Sequence, residues 1–325
     1  MKQLLVTGGA GFIGSNFVHY ILNKYPEYEV VVLDSLTYAG NKDNLKDAYF
    51  NNKYSFVLGD ICDAKIVDHL VSKCDAVVHF AAESHVDRSI TDPGVFVKTN
   101  VLGTQVLLDA CVRHNKRFHH ISTDEVFGSL PLEGAELFCE STPYDPSSPY
   151  SAAKAGADHL VRAYHRTFGL QATITNCSNN YGRFQFPEKL IPLMIINALS
   201  DKKLPVYGNG LNVRDWIHVE DHCSAIDLVL HEGRIGQTYL VGGNAQKKNL
   251  EVIKKILTLL DKGEDLLETV PDRKGHDLRY AIDSSKIESE LGWSRKYDFE
   301  SGLAQTVAWY VNHKDWWTKL LSRDK

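Results

Sequence analysis

Thr123, Asp124 and Glu125 stand side by side in the stretch HHISTDEVFGSL, residues 119–130, directly after an apolar, β-rich run. A hydroxyl and two carboxylates at the carboxyl end of a strand occupy the place where open α/β sheets present their ligands. In a continuing strand neighbours face opposite sides, so the chain must turn at Thr123 if all three are to share one site. Two adjacent carboxylates in a cleft resist ionising together, which separates them into a proton donor and a proton acceptor. An isolated Thr-Asp-Glu is more often a turn cap. Two further constellations favour chemistry here.

The first is Tyr150 and Lys154 in PYSAAKAGADHLVRAYH, four residues apart and therefore on one helix face. A lysine ammonium beside a phenol favours the phenolate and makes tyrosine a usable base near neutral pH. The spacing is weak by itself, because Tyr-x-x-x-Lys also begins at Tyr20, Tyr38, Tyr49 and Tyr310. Tyr150 is singled out by position, after the fifth strand-like run and a Pro-Ser-Ser-Pro turn. The second is TGGAGFIGS, in which Gly8, Gly11 and Gly14 recur every third residue between a strand-like and a helix-like segment. Missing side chains let a phosphate approach the backbone, and free N–H groups at a helix N-terminus bind it. Asp34 ends the next strand twenty residues after Gly14, where a carboxylate can accept from a ribose diol. No lysine or arginine follows before Lys42, so a 2′-phosphate would meet Asp34 uncompensated and NAD is favoured over NADP. Asp60, at the end of the third strand, would approach an adenine or simply cap that strand.

These residues need a frame. QLLVTG, EVVVLD, SFVLGD, AVVHFAA and RFHHIST are nearly continuous apolar runs, alternating with helical segments such as SNFVHYILNKY and VLGTQVLLDACVRH. That rhythm predicts an α/β fold of the Rossmann type, with a doubly wound parallel sheet covered on both faces. Past residue 180 regularity falls: FPEKLIPLMIINALSD, LEVIKKILTLLD and FESGLAQTVAWYVNHKDWWTKLL read as helices, LPVYGNG and the start of RDWIHVEDHCSAIDLVL as strands. A smaller mixed α/β C-terminal substrate lobe is expected. The boundaries drawn are 1–178 for the nucleotide domain, joined by part of 211–243, with 179–210 and 244–325 forming the second lobe.

Composition is that of an ordinary globular chain: 325 residues, 43% hydrophobic and 24% charged. A net charge of −5 offers no general field for nucleic acid or an anionic membrane. Six scattered cysteines without Cys-x-x-Cys indicate reduced thiols rather than a disulfide framework or zinc site. No run approaches about 18 consecutive apolar residues, and a cytoplasmic protein is expected. His218 and His222 have helical spacing but no further ligand cluster, so no metal is expected.

In order along almost the whole chain, TGGAGFIGSN, DSLTYAGN, GDICD, FAAESHVDRSI, STDEVFG, PSSPYSAAKA, NCSNNYG, FPEKLIP, VRDWIHVEDH, GHDLRYAID and ELGW resemble the extended short-chain dehydrogenase/reductase family and, within it, the dTDP-glucose 4,6-dehydratases. The resemblance implies retained NAD and a catalytic set of Thr123, Asp124, Glu125, Tyr150 and Lys154. It implies a cofactor site of Gly8, Gly11, Phe12, Ile13, Gly14, Asp34, Ser35, Leu36, Thr37, Asp60, Ile61, Ala81, Ala82 and Thr99, with Tyr150 and Lys154. For a sugar nucleotide it points to Ser84, Thr123, Asn179, Glu188, Lys189, Leu190, Pro205, Tyr207, Arg214, Asn249, Arg273, His276 and Asp277. A homodimer joined through residues 101–112 and 150–164 is implied as well. Epimerases and decarboxylases of the same family share the glycine turn and Tyr-Lys pair but need no acid and base for elimination at C6, which Asp124 and Glu125 would provide. An inactive nucleotide-binding regulator is disfavoured by the intact set. Three departures stand out: Phe127 where tyrosine is usual, Arg183 where Tyr-Gly is usually followed by proline, and Lys274 in the Asp-Arg-Pro-Gly-His-Asp loop. Phe127, Arg183 and Lys274 could change which sugar nucleotide is accepted.

Overall fold

The computed structural model describes residues 1–272 and 275–322. In chain order its strands are β1 (Gln3–Thr7), β2 (Glu29–Asp34), β3 (Tyr54–Leu58), β4 (Ala76–His79), β5 (Arg117–Thr123), β6 (Ala172–Cys177), β7 (Asn179–Tyr181), β8 (Leu204–Tyr207), β9 (Val213–His218), β10 (Thr238–Val241), β11 (Gln246–Lys248) and β12 (Leu267–Val270). The α-helices are α1 (Phe12–Lys24), α2 (Ala64–Lys73), α3 (Val86–Thr91), α4 (Pro93–Phe96), α5 (Thr104–Arg113), α6 (Pro149–Phe168), α7 (Leu190–Leu199), α8 (Val219–Glu232), α9 (Asn249–Leu259), α10 (Ser285–Leu291), α11 (Phe299–Asn312) and α12 (Lys314–Leu321).

Seven strands form one sheet in the order β10-β6-β5-β4-β1-β2-β3, and every neighbouring pair is parallel. This is the expected Rossmann-type arrangement. Strand order reverses between β1 and β4, and the crevice beyond their carboxyl ends is where such sheets bind dinucleotides. Burial of β1, β4 and β5 on both faces explains their continuous apolar character. β4 is shorter than AVVHFAA suggests. The chain leaves the sheet after His79 so that the backbone of Ala81 can pass against Gly8.

Two strands of this sheet, β6 and β10, escaped the sequence reading because ATITNC and TYLV are short and partly polar. Helix α8 also belongs to it: Val219, Cys223, Ile226 and Leu230 pack with Phe17, Val18 and Ile21 of α1 in one apolar core. The remaining strands make a three-stranded sheet, β11-β9-β7, and a β12-β8 pair. Beside them α7, α9, α11 and α12 bury Ile195, Ile256, Leu303, Tyr310 and Trp317 around a second core. The expected terminal helix breaks at His313 into α11 and α12.

Helix α6, which carries Tyr150 and Lys154, has strong local signals at both ends. Ser148 and Ser151 form a reciprocal capping box, Pro149 occupies the first turn, and Gly169 ends the helix at φ +71°. Residues 93–113 form a continuous helical run long and apolar enough to cross a membrane by composition, but here it packs against α2 and α6. Its middle, Val97–Gly103, is a π-helical stretch.

Candidate active site

The dinucleotide turn has the geometry that its glycines require. Gly8 sits at φ +69°, and a Cβ there would lie 2.5 Å from the backbone nitrogen of Ala81. A Cβ on Gly14 would come within 2.3 Å of the Gly8 carbonyl oxygen. Any larger residue would push apart the turn that brings α1 to the sheet. Gly11 caps α1 without a side-chain bond, so the first-turn N–H groups remain available to an anion. Asp34 accepts from the N–H of Ala10 at 2.9 Å and of Leu36 at 2.8 Å. These bonds aim a buried carboxylate at the same turn, and it retains lone pairs for a diol. Burial raises its pKa, opposed by the two N–H donors.

These residues fit NAD; Phe12, Ile13, Ala82 and Thr99 are half-buried, and Ser35 and Thr37 lie on the exposed loop after β2. Asp60 is exposed and accepts from Cys62 N at 2.9 Å, closing the turn after β3; Ile61 is buried against Gly103. NADP is expected to bind about 100-fold more weakly than NAD, since like charges brought together cost several kcal/mol. Competitive titration of the two cofactors measures this, and equal affinity would remove Asp34 from the diol-reading position.

At the end of β5 the chain turns as the acid pair demands. Thr123 is still extended (φ −135°, ψ 154°), and Asp124–Phe127 form one 3₁₀ turn whose second N–H, on Glu125, donates to Thr123 Oγ1 at 3.3 Å. Thr123 Oγ1 in turn donates to Asp124 Oδ1 at 3.3 Å. Thr123 therefore caps the turn and also belongs to the site. Asp124 is only 1% exposed. Burial, followed by the nearby charges of Glu125 and Asp215, pushes its carboxyl well above the usual range, with Arg214 opposing. These surroundings favour the protonated form of Asp124, while Glu125 opens into a cavity enclosing about 960 Å³ of empty space, part of it open to solvent.

Tyr150 joins this group from α6, bonded to Thr123 and in the field of Glu125 and Asp124. The expected lowering of its pKa by Lys154 is not found. Burial pushes the phenol well up, the charges of Glu125, Cys177 and Asp124 add to this, and the neighbouring Thr123 hydroxyl opposes it. Burial is the largest cause, and the hydrogen-bond partners of the lysine are on β5. Lys154 Nζ donates to the Ile121 carbonyl at 2.7 Å and lies 3.4 Å from His120 Nε2.

The cavity is lined by Glu125 of the catalytic set and, among the residues anticipated for a sugar nucleotide, by Asn179, Glu188, Lys189, Leu190, Tyr207, Arg214, Asn249 and His276. Arg214 is held over the Tyr280 ring at 4.3 Å and donates to the carbonyl oxygens of Val213 and Asp277. Asp277 supports the wall rather than lining it, accepting from Ser147 and Tyr280. Ser84 receives a bond from Lys189 through its carbonyl, 3.0 Å, and Pro205 pairs with Glu268 outside the lining. Arg273 and Lys274 lie outside the described residues. Sequence reasoning missed His85, Asp87, Gln185, Trp216 and Tyr280 in the lining. His85 lies inside the SHVDRS stretch that already supported the resemblance.

Two of the departures do not reach this cavity. Phe127 is buried against Phe138 at 5.2 Å and Tyr144 at 5.1 Å, so it packs behind the acid pair. Arg183 donates to Asn16 on α1 at 2.9 Å and lies 5.4 Å from the Phe184 ring, on the dinucleotide side. Neither touches the space where a sugar would lie. His218 caps α8 and His222 pairs with Asn180; among the described residues no three potential metal ligands come together. All six cysteines are unpaired thiols.

A sequence profile of the family described as GDP-mannose 4,6 dehydratase matches residues 5–306. The dTDP-glucose 4,6-dehydratase of Mycobacterium tuberculosis (strain ATCC 25618 / H37Rv) is 54% identical over 319 residues, covering 98% of this chain and 96% of that protein. The crystal structure of DesIV, a dTDP-glucose 4,6-dehydratase from Streptomyces venezuelae, with NAD and dTDP bound, superposes with a TM-score of 0.95 at 51% identity, covering 98% of this chain and 99% of that one. UDP-glucose 4-epimerase from Thermotoga maritima, crystallised with UDP-glucose, is more distant, at 27% identity and a TM-score of 0.88 over 95% and 99% of the two chains.

Proposed function

The chain belongs to the GDP-mannose 4,6 dehydratase family of extended short-chain dehydrogenases/reductases, and from that premise we propose that it is an NAD-dependent dTDP-glucose 4,6-dehydratase forming dTDP-4-keto-6-deoxyglucose. The observation that carries this reading is the turn at the end of β5, where a buried Asp124, its carboxyl pushed toward the protonated form, adjoins a Glu125 open to the cavity. Identity of about half with dTDP-glucose enzymes over nearly full length favours that sugar nucleotide over the GDP sugar of the family's description. UDP-glucose is the alternative substrate for the same reaction.

Tyr150, assisted by Thr123 and Lys154, takes the proton of the sugar C4 hydroxyl. NAD, when bound, supplies the acceptor for the C4 hydride and returns the same hydride to C6, so none is consumed. A ketone at C4 acidifies the C5 proton, which Glu125 removes. Asp124 delivers its proton to the C6 hydroxyl, which departs as water. A proton returns to C5 from Glu125 as hydride reaches C6. Asp124 suits the donor's part because burial and two neighbouring carboxylates favour its protonated form. Arg214 and Lys189 are assigned to the pyrophosphate, where charge-assisted bonds are strong, with Asn179, Glu188 and Asn249 on the sugar and base. Arg273 is assigned to the same phosphates from the family pattern.

We also propose a nucleotide domain of residues 1–178 completed from 211–243, with 179–210 and 244–325 as the substrate lobe, a homodimer, and a cytoplasmic place in deoxysugar supply for surface polysaccharide. Exposed Val97 and Leu102, beside α5, support the dimer. Incubation with dTDP-glucose, UDP-glucose and UDP-N-acetylglucosamine, followed by mass spectrometry, tests the reaction: loss of one water from dTDP-glucose is expected. Loss from none would overturn the dehydratase reading, and loss from UDP-glucose alone would change the substrate.

A further inference from the structure

Beneath the catalytic turn lies a cluster of ionisable groups that the proposed steps do not use. Asp158, one helical turn beyond Lys154 on α6, is completely buried. Its Oδ2 accepts from Ser122 Oγ on β5 at 2.9 Å, from Tyr144 OH at 2.8 Å and from Asn176 Nδ2 on β6 at 3.1 Å. Its Oδ1 lies 3.2 Å from Nε2 of His120, also wholly buried. That same ring nitrogen is 3.4 Å from Lys154 Nζ. Asn176 reaches further, donating to the carbonyl oxygen of Thr123 at 3.0 Å, and Arg162 donates to Tyr144 OH at 2.7 Å.

A lone ionised carboxylate in such a place would be costly. Here burial pushes Asp158 up, but the His120 ring beside it and the charge of Lys154 hold it below the usual carboxylate range. The other groups facing Lys154 are His120 on β5, itself next to His79 on β4 at 5.3 Å, and Cys177 on β6. Burial favours loss of the lysine proton, and Asp158 is the first of the groups opposing it. One imidazole nitrogen cannot donate to Asp158 and accept from Lys154 at once. Here Nε2 has Lys154 Nζ as its hydrogen-bond partner, with Asp158 Oδ1 at ion-pairing distance from the same ring nitrogen, and Lys154 also donates to the Ile121 carbonyl, which fixes its direction.

We propose that Asp158 is a positioning residue for the reaction, a buried anion that holds the Lys154–His120 pair in its field on one side and, through Ser122 and Asn176, the strand end bearing Thr123 on the other. The proposal rests on the dehydratase reading, and turnover of dTDP-glucose by the parent protein checks that reading separately.

The test is Asp158→Asn in the full-length, NAD-loaded protein. The amide keeps the shape and removes the charge. Expected are a KM within about 3-fold of the parent, a kcat lower by about 10–100-fold, and a basic limb of the kcat–pH profile moved to lower pH, because the ammonium loses its anion. A limb that stays in place, whatever happens to thermal stability, would reduce Asp158 to a structural role and overturn the proposal. If that variant does not fold, Ser122→Ala/Tyr144→Phe withdraws two donors from the same carboxylate without touching its charge. It is expected to lose kcat at least 3-fold at unchanged KM, and an unchanged kcat would equally overturn the proposal.

Discussion

A Glu125→Gln variant is expected to bind NAD and dTDP-glucose as the parent does, to lose turnover by about 10²–10⁴-fold, and to stop incorporating solvent deuterium at C5 of the sugar. Glu125 is the one member of the acid pair that lines the cavity. Its backbone N–H is fixed to Thr123 Oγ1, so an amide of the same shape leaves the turn intact. The amide cannot take a proton from carbon. Oxidation at C4 precedes that step, so the variant should still reduce its bound NAD when substrate is added, seen as absorbance near 340 nm, and then stall. Unchanged deuterium at C5 would take the base's role away from Glu125; loss of NAD reduction as well would indicate a damaged site rather than a missing base.

The second large effect concerns the neighbouring acid. Asp124→Asn is expected to lower kcat by about 10²–10⁴-fold, because the amide has no proton to give to the C6 hydroxyl. In this variant C5 exchange should persist, since Glu125 remains, and the contrast between the two variants separates their roles. Stability should move in the opposite direction. The folded-state pKa of Asp124 is raised far above its unfolded value, so between those two values the native state binds the extra proton. Its favourable contribution is complete below about pH 4 and is lost as pH rises through the folded pKa. The amide has no such dependence, so the variant should gain in Tm relative to the parent as pH rises from 4, with the difference vanishing at the acid end. A parent that gains relative to the variant over that range would contradict the buried, protonated state.

Much of this architecture is legible in the chain because it rests on local rules. Gly8 and Gly14 mark a turn where a Cβ would strike backbone, and the Ser148 box, Pro149 and Gly169 delimit α6. Less legible are features that depend on partners far along the chain. Phe127 and Arg183 look suspicious beside family motifs, yet one is packed against Phe138 and the other pinned to Asn16. The Tyr150–Lys154 pairing on one helix face is true, but a shared face does not tell where an ammonium points; the carbonyl of Ile121 and the ring of His120 decide that.

By itself the sequence determined the parallel sheet, the dinucleotide turn and the identity of the five residues assigned to catalysis, since periodicity, glycine geometry and residue chemistry act over a few positions. Only the tertiary structure decided the state of those residues. Asp124 is pushed toward the acid form because folding buries it near Asp215, 91 positions later, and Lys154 is held by the Ile121 carbonyl and His120 because β5 brings those partners to it. Proton affinity is set by what surrounds a group in space, and a linear order of residues does not contain that distance.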